Sequence, residues 1–222
     1  MKAIVNVNRD WAIGRGNDLL CRIPEDMRFF RSATAGKTVV MGRKTLESFP
    51  GKKPLKGRVN VVLTRDASRI PGEALEAADT SVILDDARGA DELDRILRKR
   101  EQKIPEGQKP ETVLVLVSSP EKLLKYVRSA VSSGVLKEED VCIIGGASVY
   151  EKMLPYCDFC LVTVNDYDPP ADAPADSWFP NLDADPGWVK IRQGDMKESE
   201  GVHFCFCEYA KRMDPPAVAS DL

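Results

Sequence analysis

The sequence predicts one α/β domain, in which a mixed, mostly parallel sheet has helices on both faces and an antiparallel edge at its C-terminal end. Strand-like runs alternate with helical runs along the chain, which is typical of this class. Two of the strand-like runs, VLVLVSS (113–119) and VCIIGG (141–146), are apolar throughout, as expected for strands buried on both faces. The last two, at 188–192 and 202–211, have no helix between them, which favours an antiparallel pair.

The strands and helices before residue 66 are predicted from the alternation of apolar and polar residues, from turn residues and from residues typical of helix starts. Gly14, Gly16 and Asn17 indicate a loop, and loops of this length often carry function. Pro24 suits the first turn of a helix, and acidic residues follow it where they interact favourably with the helix dipole. We therefore expect, in order, a strand at 2–7, a loop at 8–23, a helix from Pro24, a strand at 38–41, a turn into a short helix at 42–48 and a strand at 58–64.

The later elements are less regular between residues 66 and 112 and clearer after them. Ser119 and Pro120 are a typical N-cap and first helical residue. We expect a strand at 81–86, an amphipathic helix at 90–102, a loop at 104–111, a strand at 113–119, a helix from Pro120, a strand at 141–146, a helix at 147–155, a strand at 160–166, a loop at 168–177 and strands at 188–192 and 202–211. Residues 1–212 then form one domain that contains an insertion at 66–112, and 213–222 is expected to be a disordered tail.

Composition excludes several classes of function. The chain has 222 residues, of which 43% are apolar and 30% charged, which is ordinary for a globular domain. A net charge of −3 gives no general attraction to nucleic acid or anionic membranes. The chain has no apolar run of membrane-spanning length, and its start lacks the long apolar region of a signal peptide. We expect a cytoplasmic monomer with neither nucleic acid nor membrane as a partner.

Four of the cysteines could form a zinc site, but their spacing argues against it. Cys157 and Cys160, together with Cys205 and Cys207, have the residue types of a split zinc site. The spacing of the second pair is poor for zinc, and both its members lie in an apolar run, so buried free thiols are favoured and no metal is expected. His203 is the one histidine and lies in the same strand-like run, so a histidine-based mechanism is not expected.

Two segments have the residues of a phosphate site. Gly145 and Gly146 join an apolar strand to a helix, where the backbone can approach a ligand and free N–H groups suit a phosphate, although a simple tight turn explains them as well. Arg43, Lys44 and Thr45 follow a strand and a glycine and begin a helix. Two cations and a hydroxyl there suit a pyrophosphate or a 2′-phosphate, and the alternative is a solvated basic turn.

A third segment, the helix PEDMRFFRSA (24–33), places an acid among apolar side chains. Asp26 and Phe30 are four residues apart and share one stripe of the helix. An acid in the first turn is a routine dipole partner. The functional alternative is a carboxylate that accepts two N–H bonds from a flat heterocycle while Phe30 packs on the ring.

These segments and several others resemble dihydrofolate reductases. The matching stretches occur in the family's order across residues 1–211 and are DWAIGRGNDLL (10–20), PEDMRFF (24–30), MGRKTLESF (41–49), PLKGRVNVVLTR (54–65), IIGGASVY (143–150), LVT (161–163) and WFP (178–180). The resemblance implies a single α/β domain around an eight-stranded sheet. It also implies hydride transfer from NADPH to C6 of dihydrofolate with protonation at N5, in support of one-carbon metabolism.

The resemblance also implies roles for individual residues. Asp26 would hold the 2-amino group and N3 of the pterin, and Arg58 would pair with the α-carboxylate of the glutamate tail. The other implied substrate contacts are Val5, Asn6, Met27, Phe30, Phe49, Leu55, Ile144 and Thr163. The implied NADPH contacts are Asn6, Ala12, Ile13, Gly14, Gly42, Arg43, Lys44, Thr45, Leu63, Thr64, Arg65, Gly145, Gly146, Ala147, Ser148, Val149 and Tyr150.

The chain departs from the family's usual residues near the pterin. Leu20 and Cys21 stand where the family has Pro-Trp, and Asn6 stands for an alanine. These changes predict weak binding of diaminopyrimidine antifolates. Two other functions remain open: a reductase of the same fold that acts on another pterin or on a pyrimidine intermediate of riboflavin synthesis, and a non-catalytic module that binds NADPH or folate.

Overall fold

The computed structural model of the chain describes residues 1–101 and 110–212. Within them the chain forms strands and helices in this order: β1 (Lys2–Val7), β2 (Ala12–Arg15), β3 (Asp18–Leu19), α1 (Pro24–Thr34), β4 (Thr38–Gly42), α2 (Arg43–Ser48), β5 (Val59–Leu63), α3 (Gly72–Ala77), β6 (Thr80–Ile83), α4 (Ala87–Glu101), β7 (Val113–Val117), α5 (Pro120–Ser132), β8 (Val141–Gly145), α6 (Ala147–Met153), β9 (Phe159–Asn165), β10 (Ser177–Trp178), β11 (Trp188–Gln193), β12 (Lys197–Ser199) and β13 (Val202–Lys211). The expected tail at 213–222, and all but the last two residues of the expected loop at 104–111, lie outside this part of the chain.

One mixed sheet forms the body of the domain. Its strands lie in the order β11-β13-β9-β1-β8-β4-β5-β7-β6, and β12 pairs with β13. The strands from β9 to β6 are parallel, while β11, β12 and β13 form an antiparallel edge. The predicted class is confirmed. The sheet has ten strands rather than eight, because β6 extends one edge and the short β12 forms a hairpin with β13.

Successive residues of the buried strands enter two different hydrophobic clusters. Val113, Val115 and Val117 of β7 belong to one cluster, whereas Leu114 and Leu116 belong to the other. Side chains alternate between the two faces of a strand, so the two clusters lie on opposite faces of the sheet. Each buried valine or leucine contributes about 1.5–3 kcal/mol, which explains why strands apolar throughout occupy the centre.

The helix starts follow the expected chemistry. Ser119 is the N-cap of α5, where its hydroxyl accepts a hydrogen bond from the backbone N–H of Lys122 at 3.3 Å, and Pro120 is the first helical residue. Pro24 likewise begins α1, although Ile23 provides no side-chain cap. Because the parallel strands have a common direction, the ends of β1, β4, β5, β8 and β9 meet along one edge, where ligands bind in open α/β sheets.

The segment at 8–23 is more regular than predicted. It contains β2 and β3, which form a three-stranded sheet with β10. The turn between β2 and β3 consists of Gly16 and Asn17, with φ of 57° and 68°. Positive φ at both central residues is the requirement of a tight hairpin turn, and Gly-Asn satisfies it. The Oδ1 atom of Asn8 accepts the N–H groups of Asp10 and Ala12, so the start of the segment is also held.

The described residues of the segment at 66–112, where we expected an insertion, extend the edge of the sheet. They contain α3, β6 and α4, and β6 pairs in parallel with β7. The expected strand at 81–86 and helix at 90–102 are therefore present at slightly different bounds, and α3 was not expected. In the described ranges, no helix combines the length and the apolar character needed to cross a membrane.

Candidate functional site

A buried carboxylate lies at the strand edge described above. Asp26 is only 5% exposed although it sits in the first turn of α1. Its Oδ1 atom accepts a hydrogen bond of 2.6 Å from the hydroxyl of Thr163 in β9. Its Oδ2 atom accepts a longer bond of 3.3 Å from the side-chain amide of Asn6 in β1. The resemblance implies that both Asp26 and Thr163 contact the substrate, and the structure joins the two side chains directly.

The environment of Asp26 has opposing effects on its protonation. Burial raises the pKa of the Asp26 carboxyl above its usual value, because removal from water disfavours the charged form. The hydrogen bonds from Thr163 and Asn6 act in the other direction, since both stabilise the carboxylate. Burial is the larger effect, so the pKa of Asp26 is raised. A raised carboxyl pKa in a cleft is typical of functional sites.

Asn6 has the partners that a polar side chain in this strand requires. Its amide nitrogen donates to Asp26 and, at 3.3 Å, to the carbonyl of Cys21. Its Oδ1 accepts a 2.8 Å bond from Asn165, and Asn165 also donates to the carbonyl of Val7. Asn165 is 3% exposed and was not among the predicted site residues. Its position two residues after Thr163 on β9, on the same face, was the available signal.

Apolar side chains surround this polar group. Ile4 of β1 and Ile144 of β8 are buried in one cluster, on the face of the sheet that Ile4 shares with Asn6. The predicted neighbour Val5 belongs to the cluster on the opposite face, so its side chain points away from Asp26. The predicted neighbours Phe30, Phe49 and Leu55 are partly buried and pack against the hydrophobic cluster that contains Ile144. Met27 is half-buried on α1. Apart from Val5, the predicted substrate residues therefore come from β1, α1, β8, β9 and the segment between α2 and β5, which the fold brings to one region.

Arg58 is anchored near the end of α1. Its Nε–H bonds to the carbonyl and hydroxyl of Thr34 at 3.0 Å, one Nη bonds to the carbonyl of Lys56 at 2.9 Å, and the other bonds to the carbonyl of Arg31 at 3.0 Å. Since a guanidinium has five N–H groups, these bonds leave two for a ligand. Burial lowers the pKa of Arg58, and the group is still charged at neutral pH. An anchored guanidinium with two N–H groups to spare suits a carboxylate.

A second cleft of about 890 Å³ lies along the ends of β4, β5, β7 and β8. Eleven of the predicted cofactor residues line it: Gly42, Arg43, Lys44, Thr45, Leu63, Thr64, Arg65, Gly146, Ala147, Ser148 and Val149. Sequence reasoning missed Arg69, Ser118, Ser119 and Lys152, which also line it. Ser118 and Ser119 follow an apolar strand in the same way as the predicted residues do, and that was the available signal.

The charge of this cleft is distributed differently from the prediction. Arg43 forms an ion pair with Glu47 one turn along α2. Within the described part of the chain, neither Lys44 nor Arg65 pairs with an acidic side chain, and both are exposed. The cations available for a phosphate are therefore Lys44 and Arg65 more than Arg43.

The remaining predicted cofactor residues do not line this cleft; they are Asn6, Ala12, Ile13, Gly14, Gly145 and Tyr150. Gly145 has φ of 98°, and the peptide that joins it to Gly146 is cis. Tyr150 is buried, and its hydroxyl donates a 2.6 Å bond to the carbonyl of Ile4. A Cβ atom at Gly145 would lie 2.6 Å from the Tyr150 ring, so this glycine makes room for the ring.

Three predicted NADPH contacts from the segment at 8–23 belong to β2. Ala12, Ile13 and Gly14 form this strand, which pairs with β3 and β10, and they do not line the cleft. The neighbouring residue Asn17 does line it. The β2–β3 hairpin therefore borders the cleft through its turn.

The cysteines and the histidine have structural surroundings. Cys157, Cys160, Cys205 and Cys207 are buried free thiols, and burial raises the pKa of Cys157 and Cys207 to about 12. Across residues 1–101 and 110–212, no group of three His, Cys, Asp or Glu side chains is arranged to hold a metal ion. His203 is exposed and its Nδ1 lies 3.0 Å from Asp166.

Comparisons with known proteins agree with this geometry. The profile of the family described as Dihydrofolate reductase matches residues 1–97 and 90–211. A dihydrofolate reductase of Mycobacterium tuberculosis is 33% identical over 172 residues, which are 77% of this chain and 74% of that protein. One from Neisseria gonorrhoeae is 29% identical over 198 residues, or 89% of each chain.

A solved structure has the same fold. It is described as a dihydrofolate reductase from Enterococcus faecalis complexed with NADP(H) and RAB-propyl. The TM-score is 0.62 at 24% identity, and the match covers 96% of both chains. At this identity the likeness supports the fold alone.

Proposed function

The chain belongs to the dihydrofolate reductase family, and on that premise we propose that it reduces 7,8-dihydrofolate to 5,6,7,8-tetrahydrofolate with NADPH, by hydride transfer to C6 and protonation at N5. Membership confirms the predicted family and the predicted class of enzyme, an oxidoreductase. The product would supply one-carbon metabolism. The observation that carries the proposal is the buried Asp26 carboxylate, held by Thr163 and Asn6 beside an apolar wall.

Asp26 orients the pterin in this account. Its two oxygens each accept one hydrogen bond from the protein and retain further lone pairs. Those lone pairs can accept N–H groups of the 2-amino group and N3, and charge-assisted bonds of this kind are roughly twice as strong as neutral ones. Ile4, Met27, Phe30 and Ile144 provide an apolar surface for the flat ring. Because Asp26 is removed from water, its charge also favours a proton on the bound substrate at N5.

The second cleft fits the phosphates of NADPH. It combines the N-terminal turn of α2 and the exposed cations Lys44 and Arg65 with the hydroxyls of Thr45 and Thr64. Positive side chains and hydroxyls at strand ends are the groups that bind pyrophosphate and 2′-phosphate. When bound, NADPH supplies the hydride. Membership of the dihydrofolate reductase family supports the same cofactor here.

Arg58 distinguishes dihydrofolate from a pterin or pyrimidine substrate that lacks the glutamate tail. We propose that its two remaining N–H groups pair with the α-carboxylate of the glutamate tail, with Phe49 and Leu55 beside the aminobenzoyl group. A reductase that acts on a pterin or pyrimidine without this tail has no use for such a group. Arg58→Ala should raise KM for dihydrofolate strongly if the tail is bound, and should hardly change KM for the substrate of the alternative reductase.

Asn6 and Cys21 lie where antifolates would bind. Asn6 occupies one lone pair of Asp26, so a diaminopyrimidine has one acceptor site fewer than beside an alanine. We propose that such inhibitors bind weakly. Nanomolar inhibition of the wild-type protein by a diaminopyrimidine would exclude this proposal.

The reaction is tested with the purified full chain. We expect NADPH to be oxidised when dihydrofolate is added, and we expect tetrahydrofolate as the product by chromatography. Tight binding of both ligands by calorimetry without turnover would instead favour the non-catalytic module. Oxidation of NADPH only with a tail-free pterin or pyrimidine would favour the related reductase. The monomeric state and the cytoplasmic location stay predictions.

A further inference from the structure

The insertion at 66–112 contacts the segment that carries Arg58, although its strand β6 lies at the edge of the sheet, beyond β5 and β7. Gly57, directly before Arg58, donates its N–H to the hydroxyl of Thr112 at 3.0 Å. The carbonyl of Gly57 accepts a 3.0 Å bond from Arg100 in α4. Both polar groups of the Gly57 backbone are therefore satisfied by residues of the insertion.

Arg100 joins three separate segments of the chain. Its guanidinium donates to the carbonyl of Gly57, to the carbonyl of Gly36 at 3.4 Å, and to the carbonyl of Glu111. Gly36 follows the C-terminal end of α1, which is the end that anchors Arg58 through Thr34. Arg100 thus bridges the two segments between which the Arg58 side chain is held.

Thr112 supports the same turn from a second direction. Its N–H donates to Asp79 at 2.7 Å, and its carbonyl accepts from the N–H of Asp79 at 2.8 Å. This pair of hydrogen bonds connects Thr112 to Asp79, the residue before β6. The next residue, Val113, donates its N–H to the carbonyl of Arg58 at 3.0 Å. Backbone groups on both sides of Arg58 are consequently held by the insertion or by the strand that follows it.

We infer that the insertion positions the substrate-tail clamp, with Arg100 as a positioning residue that sets the separation between the end of α1 and the Gly57–Arg58 turn. The inference rests on the proposed function of Arg58. The Arg58 guanidinium takes its direction from carbonyls on both segments, Arg31 and Thr34 on one side and Lys56 on the other. Relaxing their separation misaligns the two N–H groups that bind the tail carboxylate, and bidentate pairing depends strongly on alignment.

The test compares two substrates, dihydrofolate and a dihydropterin that lacks the aminobenzoyl-glutamate tail. For Arg100→Ala we expect KM for dihydrofolate to rise about tenfold, a 1.4 kcal/mol effect, with kcat little changed. We expect kcat/KM for the tail-free dihydropterin to change less than about twofold. The matched control is Lys99→Ala, since Lys99 is the neighbouring cation on α4 and forms an exposed pair with Glu111. It should leave both substrates unaffected.

Two further variants keep the test decisive if Arg100→Ala does not fold. Thr112→Val removes the acceptor of the Gly57 N–H and should act in the same direction. Arg100→Lys cannot reach three carbonyls at once and should give an intermediate KM. In the double variant with Arg58→Ala, the Arg100→Ala change should have no added effect on KM for dihydrofolate, because the clamp is already lost.

The outcomes separate this inference from the proposed function. A wild-type protein that reduces dihydrofolate, with an Arg100→Ala variant whose KM is unchanged or rises equally for both substrates, overturns the positioning role alone. A wild-type protein that does not reduce dihydrofolate overturns the proposed function. In that case binding of folate by calorimetry still decides the positioning role: equal affinity in wild type and Arg100→Ala contradicts it.

Discussion

The hydroxyl of Thr163 donates a 2.6 Å hydrogen bond to Oδ1 of Asp26 across 137 positions of sequence. The bond joins the first turn of α1 to the middle of β9 and is fully buried. It gives the carboxylate a defined orientation inside an apolar pocket. A hydrogen bond to a charged group contributes about 1.5–3 kcal/mol, and an unpaired buried carboxylate would be unfavourable.

Thr163→Val removes this bond while keeping the shape of the side chain. We expect the free energy of unfolding at neutral pH to fall by about 1–3 kcal/mol in urea denaturation, because Asp26 loses its shortest bond. KM for dihydrofolate should rise as well, since the carboxylate is less well oriented. Thr163→Ser retains a hydroxyl and is the control. A valine variant as stable as wild type would show that Asp26 does not depend on Thr163.

Asn6→Ala tests the second bond to Asp26. The Asn6 bond lowers the pKa of Asp26, so its loss should raise that pKa further and move the acidic limb of the kcat/KM profile to higher pH. The freed lone pair should also strengthen inhibition by a diaminopyrimidine. Cys21→Ala is the control for the pH profile, because the bond between Asn6 and Cys21 uses the backbone carbonyl of Cys21, which this substitution keeps. An unchanged profile in Asn6→Ala would contradict the role of this bond.

The raised pKa of Asp26 also predicts how this residue affects the stability of the fold. Its folded-state pKa lies above the usual 3.8. The folded protein therefore binds the proton more tightly than the unfolded chain, and stability is lost as pH rises from about 3.8 through the raised pKa. The difference in unfolding free energy between wild type and Asp26→Asn should change in that direction across acidic pH. Stability measurements of both proteins at several pH values check this, and a difference independent of pH would exclude a raised pKa.

Lys44→Ala tests the phosphate cleft. Lys44 is exposed at the start of α2, and we expect KM for NADPH to rise about three- to tenfold. KM for NADH should change less, because NADH lacks the 2′-phosphate. Lys37→Ala is the control, since Lys37 pairs with Asp140 before the start of β4. Equal effects on both cofactors would place Lys44 away from the 2′-phosphate.

Gly145→Ala tests the backbone between β8 and α6. Alanine is unfavourable at φ of 98°, and its Cβ would lie 2.6 Å from the Tyr150 ring. We expect a loss of at least about 2 kcal/mol in unfolding free energy. Gly146→Ala is the matched control: its nearest contact would be Thr45 Oγ1 at 3.4 Å, so it should fold normally. Comparable stability of the two variants would contradict this account.

The sequence was sufficient for most strands and helices because their signals are local. Continuous apolar runs predicted β7 and β8, and the Ser119-Pro120 pair predicted the start of α5. The β2–β3 hairpin was missed because Gly16 and Asn17 indicate a turn without showing that two very short strands flank it. The extra edge strand β6 was uncertain because half of its residues are exposed and its pairing with β7 is non-local.

The candidate site was harder to predict from local sequence patterns than the strands and helices. Asp26 alone could not be distinguished from an ordinary first-turn acid, and only resemblance connected it to Thr163. Asn165 was missed because its bond to Asn6 joins residues 159 positions apart. The Arg43–Glu47 pair was also missed, although the two residues are one helical turn apart. Long-range pairing of polar side chains is the part that sequence alone did not supply.

The central claim is that Asp26 holds the pterin during reduction of dihydrofolate. The most direct measurement is steady-state oxidation of NADPH with dihydrofolate by wild type and Asp26→Asn at neutral pH, with NADPH affinity measured alongside. We predict that the variant binds NADPH as wild type does and loses about 10²–10⁴-fold in kcat/KM. An Asp26→Asn protein that turns over dihydrofolate at close to the wild-type rate would contradict the account.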